Sequence, residues 1–227
     1  ALRQLEGELV FDRASMSLKV SKGLVADAAG LRVARATARI ADLSHNAVVE
    51  VDAHIDGPLN DALGVVRRSP LSDMTARALS QARGSGAATI QFGLVIPLAR
   101  MGNTSVKGNV ALPGNDIQIS PDTPLLARTK GNVEFSDKGF QVPAATARLV
   151  GGELQFAGGM RAGEGQIRFK GNGTATADGL RQAGFLGPAS QLAYKASGNT
   201  AYTAQLQFGA AGPDIQVQSN LQGLQLD

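Results

Sequence analysis

The chain has 227 residues, 43% of them hydrophobic, with 28 glycines, 18% charged residues and a net charge of +3. The absence of cysteine excludes a disulfide framework, thiol catalysis and thiolate metal sites, and the apolar content excludes intrinsic disorder. The local density of Arg67, Arg68, Arg77 and Arg83 has no interleaved aromatics, so it reads as a solvated basic face on two helices, with contact to anionic lipid headgroups as the alternative, and not as a nucleic-acid surface.

The first strand signal is Gly7-x-Leu9-x-Phe11. Its spacing returns at Gly108-x-Val110-x-Leu112, Gly131-x-Val133-x-Phe135 and Gly152-x-Leu154-x-Phe156. Period two places the apolar pair of each unit on one face of a strand. Residues 31–43 and 46–56 read as a hairpin around a polar turn at Leu43 to Asn46. With Asp42 opposite Ala47, the register predicts Arg39 facing Glu50, Thr37 facing Asp52 and Arg35 facing His54. The other face then matches Ile40 with Val49, Ala38 with Val51 and Ala34 with Ile55; a slip of one residue would mix the two faces.

Pro58 to Arg68 has helical spacing through Leu59, Ala62, Leu63 and Val66, with Asp56 placed to cap and Pro58 near the first turn. Ser72 to Arg83 is a second helical candidate, and Asp178 to Ala183 a shorter third. Between them, Ala88, Ile90, Phe92, Leu94, Ile96 and Leu98 share one face of a long strand. Val106, Val110 and Leu112 follow, then Val133 and Phe135, then Ile167 and Phe169. The last alternations are Tyr202, Ala204, Leu206 and Phe208, then Ile215, Val217 and Leu221. Leu112-Pro113-Gly114-Asn115, Ser136-Asp137-Lys138-Gly139 and Gly158-Gly159 read as turns between them. About ten strands with one apolar and one polar face favour antiparallel pairing. Asp56-Gly57 and Asp178-Gly179 each precede a short helix, then a Ser-Gly and another strand (Ser85-Gly86, Ser197-Gly198). This predicts a degenerate repeat, with units near 1–83 and 84–196 and a further unit opening at 197–227. The first residues, ALRQLEGEL, and the last, LQGLQLD, read as a segment of a longer protein. No apolar run approaches the ~18–20 residues of a membrane-spanning helix.

Glu50-x-Asp52-x-His54-x-Asp56 is the strongest candidate for cation binding or acid–base work. The opposing arginines already compensate these groups, and ligands in a row along a strand do not converge on a metal, so the reading is structural. His45 sits in a turn without a Gly-x-Ser-x-Gly elbow to supply a nucleophile. Gly84-Ser85-Gly86, Gly163-Glu164-Gly165 and Gly171-Asn172-Gly173 lack the rest of any phosphate-loop pattern and read as turns or bulges. Asn103-Thr104-Ser105 and Asn172-Gly173-Thr174 match the glycosylation sequon, which matters only in a eukaryotic secretory context. The expectation is a protein without catalytic residues, metal or cofactor. Many strands with aliphatic faces and few helices to cover them either close as a sandwich or barrel, or line an open trough.

Asp56-Gly57-Pro58-Leu59, Ala62-Leu63, Val66 and Ser69-Pro70-Leu71 resemble the YhdP-type branch of the AsmA-like proteins. So does the order after them: a Gly86-led strand ending at Pro97-Leu98, Val106-x-Gly108-x-Val110-x-Leu112, Gly131-x-Val133-x-Phe135, and Ala147-Arg148 before Gly151-Gly152. The resemblance covers most of the chain, most clearly residues 46–156. It implies a mainly β fold, a long curled antiparallel sheet forming one elongated open apolar groove over 1–227, with two or three short helices. It further implies a periplasmic location in a Gram-negative bacterium, within a protein anchored in the inner membrane. Its function would be non-enzymatic transport of phospholipids between inner and outer membranes, with acyl chains as partners and no nucleic acid. On that basis the expected groove lining is Ile90, Phe92, Leu94, Val106, Val110, Leu112, Val133, Phe135, Leu154, Phe156, Ile167 and Phe169. The alternative is a structural β-sandwich or assembly module of the cell envelope, its apolar faces closed on each other.

Overall fold

The computed structural model of the protein describes residues 2–44, 46–69, 79–161, 166–184, 193–209 and 212–226. The chain begins as a meander of β1 (Leu2–Asp12), β2 (Ser15–Val25), β3 (Ala28–Ile40) and β4 (Val48–Pro58), followed by helix α1 (Leu59–Arg67). A short strand β5 (Arg83–Gly84) leads into β6 (Ala87–Pro97), β7 (Ser105–Gln118), β8 (Leu126–Ser136), β9 (Gly139–Leu149), β10 (Gly152–Arg161) and β11 (Ile167–Thr176). Helix α2 (Ala177–Gln182) precedes β12 (Ala196–Gly209), β13 (Gly212–Gln218) and β14 (Leu224–Leu226).

These strands form one 14-stranded antiparallel sheet in which chain neighbours are sheet neighbours from β1 to β13, apart from β5 and β14, which pair with β7 and β12. The edges are β1 and β13, and the sheet is not closed into a barrel. The fold is therefore mainly β and open, as the alternating faces and the resemblance led one to expect.

The hairpin register of Arg39 with Glu50, Thr37 with Asp52, Arg35 with His54, Ile40 with Val49 and Ala38 with Val51 is present. It fails at one expected pair: a bulge between Val33 and Arg35 sets Val33, not Ala34, opposite Ile55. The extra residue lets the larger apolar side chain occupy the shielded face, where Val33 is 2% exposed while Ala34 faces solvent.

Two expected turns are bulges inside strands. Pro113-Gly114 lies within β7, where the ladder to β8 shifts on either side of Asn115. Asn115, 1% exposed, uses its amide Nδ2 to donate to the carbonyls of Ser85 at 2.8 Å and Ala87 at 2.9 Å, tying the entry of β6 to β7. Gly158-Gly159 likewise runs through β10 beside a register shift. That shift answers Pro143 of β9, because the ladder to β8 also jumps between Gly131 and Glu134. A proline has no N–H for the ladder, and bulges on both sides accommodate it. Ser136 to Gly139 is a turn, as expected.

Helix α1 starts after Pro58, which makes no side-chain cap. Asp56, expected to cap, lies on the sheet and accepts a hydrogen bond from Thr89 Oγ1 at 2.7 Å. Asp61 of the first turn instead accepts from the Gly30 N–H at 3.1 Å, docking the helix on the start of β3. Of the second helical candidate, Ser72 to Arg83, the part from Ser72 to Ala78 lies outside the described residues, and its last residue opens β5. Helix α2 is capped by Thr176, whose Oγ1 accepts from the Gly179 N–H at 3.0 Å, so Asp178-Gly179 lies inside the helix and not before it. The helices share a feature of attachment: Arg67 donates to the Ala82 carbonyl at 3.0 Å, and Arg181 to that of Ala196 at 2.9 Å.

Candidate functional site

Strand alternation sorts the side chains of this sheet onto two chemically different faces. One directly paired row runs Gly7, Val20, Ala36, Ala53, Phe92, Gly108, Phe135, Phe140 and Met160, from β1 to β10. A parallel row runs Val33, Ile55, Ile90, Val110 and Val133. Farther along, Ala145, Phe156, Gly171, Ala204 and Val217 are paired in turn. None of these positions carries a charge.

This apolar face is also the shielded one, which a comparison at constant side chain shows. On β9, Ala145 and Ala147 are 6% and 2% exposed, whereas Ala144, on the other face, is open to solvent. On β12, Tyr202 is 7% exposed and Ala201 is exposed. The two helices add covering to parts of this face. Leu59 of α1 packs with Ala88 and Leu112, and Leu180 of α2 packs against Leu154, Ala175 and Tyr202.

All twelve residues expected to line a groove fall on the apolar face. Ile90, Val110 and Val133 are paired partners, as are Leu94 and Val106, and Phe92 and Phe135 flank Gly108. Leu112, Leu154 and Ile167 are 7%, 6% and 3% exposed, and Leu112 and Leu154 pack against the helices. Phe156 and Phe169 contact edge to face with ring centroids 6.2 Å apart, and Phe140 lies 6.4 Å from Phe169. Sequence reasoning missed Phe140, Val142 and Met160 on this face. The Phe140-x-Val142 alternation was available as a signal, but Pro143 breaks the pattern directly after it.

The glycines explain how the aromatics fit. Gly108 is paired with Phe135, and a Cβ at Gly108 would overlap the Gln91 carbonyl oxygen and come within 2.6 Å of Phe135 Cζ. The ring therefore lies across the glycine. Phe169 lies across its partner Gly158, and Tyr202 across Gly173, in the same way. Rings lying across glycines cover backbone that a glycine leaves bare. That is the physical content of the recurring glycine followed by apolar residues spaced by two.

The outer face is polar and largely exposed. Arg35, Asp52, His54, Lys107 and Glu134 are among the residues lining a depression of about 920 Å³ over β3 to β8. Glu50, Asp52, His54 and Asp56 lie along β4 in a row, opposite Arg39, Thr37, Arg35 and Arg32. Among the described residues no group of His, Asp and Glu is arranged to hold a metal ion. His45 lies outside the described residues. Burial pushes the Tyr202 hydroxyl up to about 12, and that oxygen has no hydrogen-bond partner among the described residues. No helix among the described residues is long and apolar enough to cross a membrane.

A family model described as YhdP protein matches residues 1–227. No curated protein and no solved structure matches the chain.

Proposed function

Because the chain belongs to the YhdP family, we propose that its apolar face is a conduit for the acyl chains of phospholipids moving between inner and outer membranes of a Gram-negative envelope. The observation that carries this reading is the unbroken apolar row from β1 to β10, on the shielded face of a sheet that stays open. Extended hydrocarbon surface left without a second protein layer favours an apolar occupant, and a face without charges leaves a polar headgroup no partner but water at the mouth. The alternative of two faces closed as a sandwich requires a second sheet, whereas the strands described here form one.

The test is mass spectrometry of lipid extracted from the purified protein, together with crosslinking of a diazirine-bearing phospholipid to this face. Co-purified phospholipid and adducts on β6 to β10 support the conduit; adducts confined to the polar face refute it. The reading includes no catalytic step. His54→Gln should therefore leave lipid crosslinking within about twofold of the parent, and a large loss in a folded variant would expose a chemical role for the imidazole.

A further inference from the structure

The two halves of the outer face differ in how their charges are matched. Over β1 to β4 opposite charges meet across the ladder: Glu8 faces Lys19, Arg39 faces Glu50 and Arg32 faces Asp56. From β8 to β13 one row reads Lys130, Thr146, Gln155, Asn172, Thr203 and Gln218, each directly paired with the next. Every member of that row can hydrogen-bond and none is a carboxylate. Lys130 faces Pro113 and Thr146, and Lys170 faces Ala157 and Gln205, so neither ammonium has an acid opposite. Glu153, close to Gln155, is matched by Arg148 across the ladder.

The same residues shape the surface. Lys130, Thr146, Gln155, Lys170, Asn172 and Thr203 are among those lining a depression of about 640 Å³ with no carboxylate in its described lining. Strand spacing and rise put the Lys130 and Lys170 backbones roughly 16 Å apart, a separation that long flexible side chains can shorten or extend.

We propose that this outer face of β8 to β13 binds an acidic glycan, with Lys130 and Lys170 pairing its carboxylates and the amide and hydroxyl row between them hydrogen-bonding its sugar hydroxyls. Amides and hydroxyls both donate and accept, as vicinal sugar hydroxyls require. Other occupants match less well. Single-stranded nucleic acid asks for aromatic stacking platforms, and this row has none; a bilayer surface asks for apolar side chains to insert, and the row is hydrogen-bonding throughout. An extended peptide would take a sheet edge and not a face.

The experiment is calorimetric titration of the protein with a hyaluronan oligosaccharide, with dextran as the uncharged control and phosphatidylglycerol vesicles as the anionic-membrane control. Saturable hyaluronan binding that weakens with salt and exceeds dextran binding supports the site. The Lys130→Ala/Lys170→Ala double variant should lose at least tenfold in affinity while keeping its melting temperature, and Lys→Arg at both positions should restore most of it. No hyaluronan binding, binding unchanged in the double alanine variant, or vesicle binding that falls in parallel would each overturn the proposal. A variant that fails to fold is replaced by Asn172→Ala/Thr203→Ala, for which at least a threefold weakening is expected and no change counts against the site.

Discussion

Replacing Val133 with Asp puts a charge where the proposed conduit should be most intolerant of one, at a position whose structural cost is limited. Val133 is half-buried, paired with Val110, and packed against the edge of the Leu59, Ala88 and Leu112 cluster. Losing that partial burial costs about 1 kcal/mol. Taking a carboxylate into a site that keeps part of its hydration adds about 1–2 kcal/mol. The sum of about 2–3 kcal/mol corresponds to a fall of roughly 5–10 °C in melting temperature for a domain of this size. Calorimetry should show that fall with the far-UV circular dichroism unchanged, while crosslinking of a diazirine phospholipid on β6 to β10 drops at least tenfold. Val133→Thr, nearly isosteric and uncharged, should retain most of the crosslinking. Outright unfolding of Val133→Asp would mean that a second layer covers this face. A folded Val133→Asp that crosslinks like the parent would show that lipid takes another route.

Cysteines at Arg39 and Glu50 should form a disulfide under mild oxidation and cysteines at Arg39 and Val49 should not, read as a mobility shift on non-reducing gels; the opposite preference would contradict the β3–β4 register. Tyr202→Phe should raise stability by about 1 kcal/mol by removing a buried hydroxyl without a partner, measured by urea denaturation at pH 8. In the parent, the raised folded-state value of about 12, against 10.0 for an ordinary tyrosine, means that this group's contribution is complete below pH 10 and is lost as pH rises toward 12. That alkaline loss should shrink in Tyr202→Phe, and a parent and variant losing stability in parallel would place the titration elsewhere.

Much of the architecture was legible because period-two alternation reports a face directly, and the Arg39–Glu50 hairpin could be aligned residue by residue on charge and size. The two misread turns share one cause. Glycine and proline mark turns and bulges alike, and the two are separated by whether the partner strand continues beyond the kink. Pro113-Gly114 sits opposite β8 residues that pair on both sides of it, information that no local window contains. The Val33 bulge was invisible for a similar reason: alternation through Ala34 is just as regular, and only the fit of Val33 against Ile55 decides. On the candidate site, paired glycines could be read as breaks in a strand. Their use as beds for the rings of Phe135, Phe169 and Tyr202 required the register.

The strand order has an evolutionary and kinetic consequence. Since neighbours in the chain are neighbours in the sheet, loop closures are short, and a growing chain can zip strand by strand without waiting for distant segments. Direction alternates along this order. Deleting a single strand would therefore leave two parallel neighbours joined by a loop too short to cross over, whereas deleting a hairpin leaves every remaining pair antiparallel. Duplication and loss of hairpins can thus change the length of such a sheet in steps of about 10 Å, two strand spacings at a time, with its cross-section untouched.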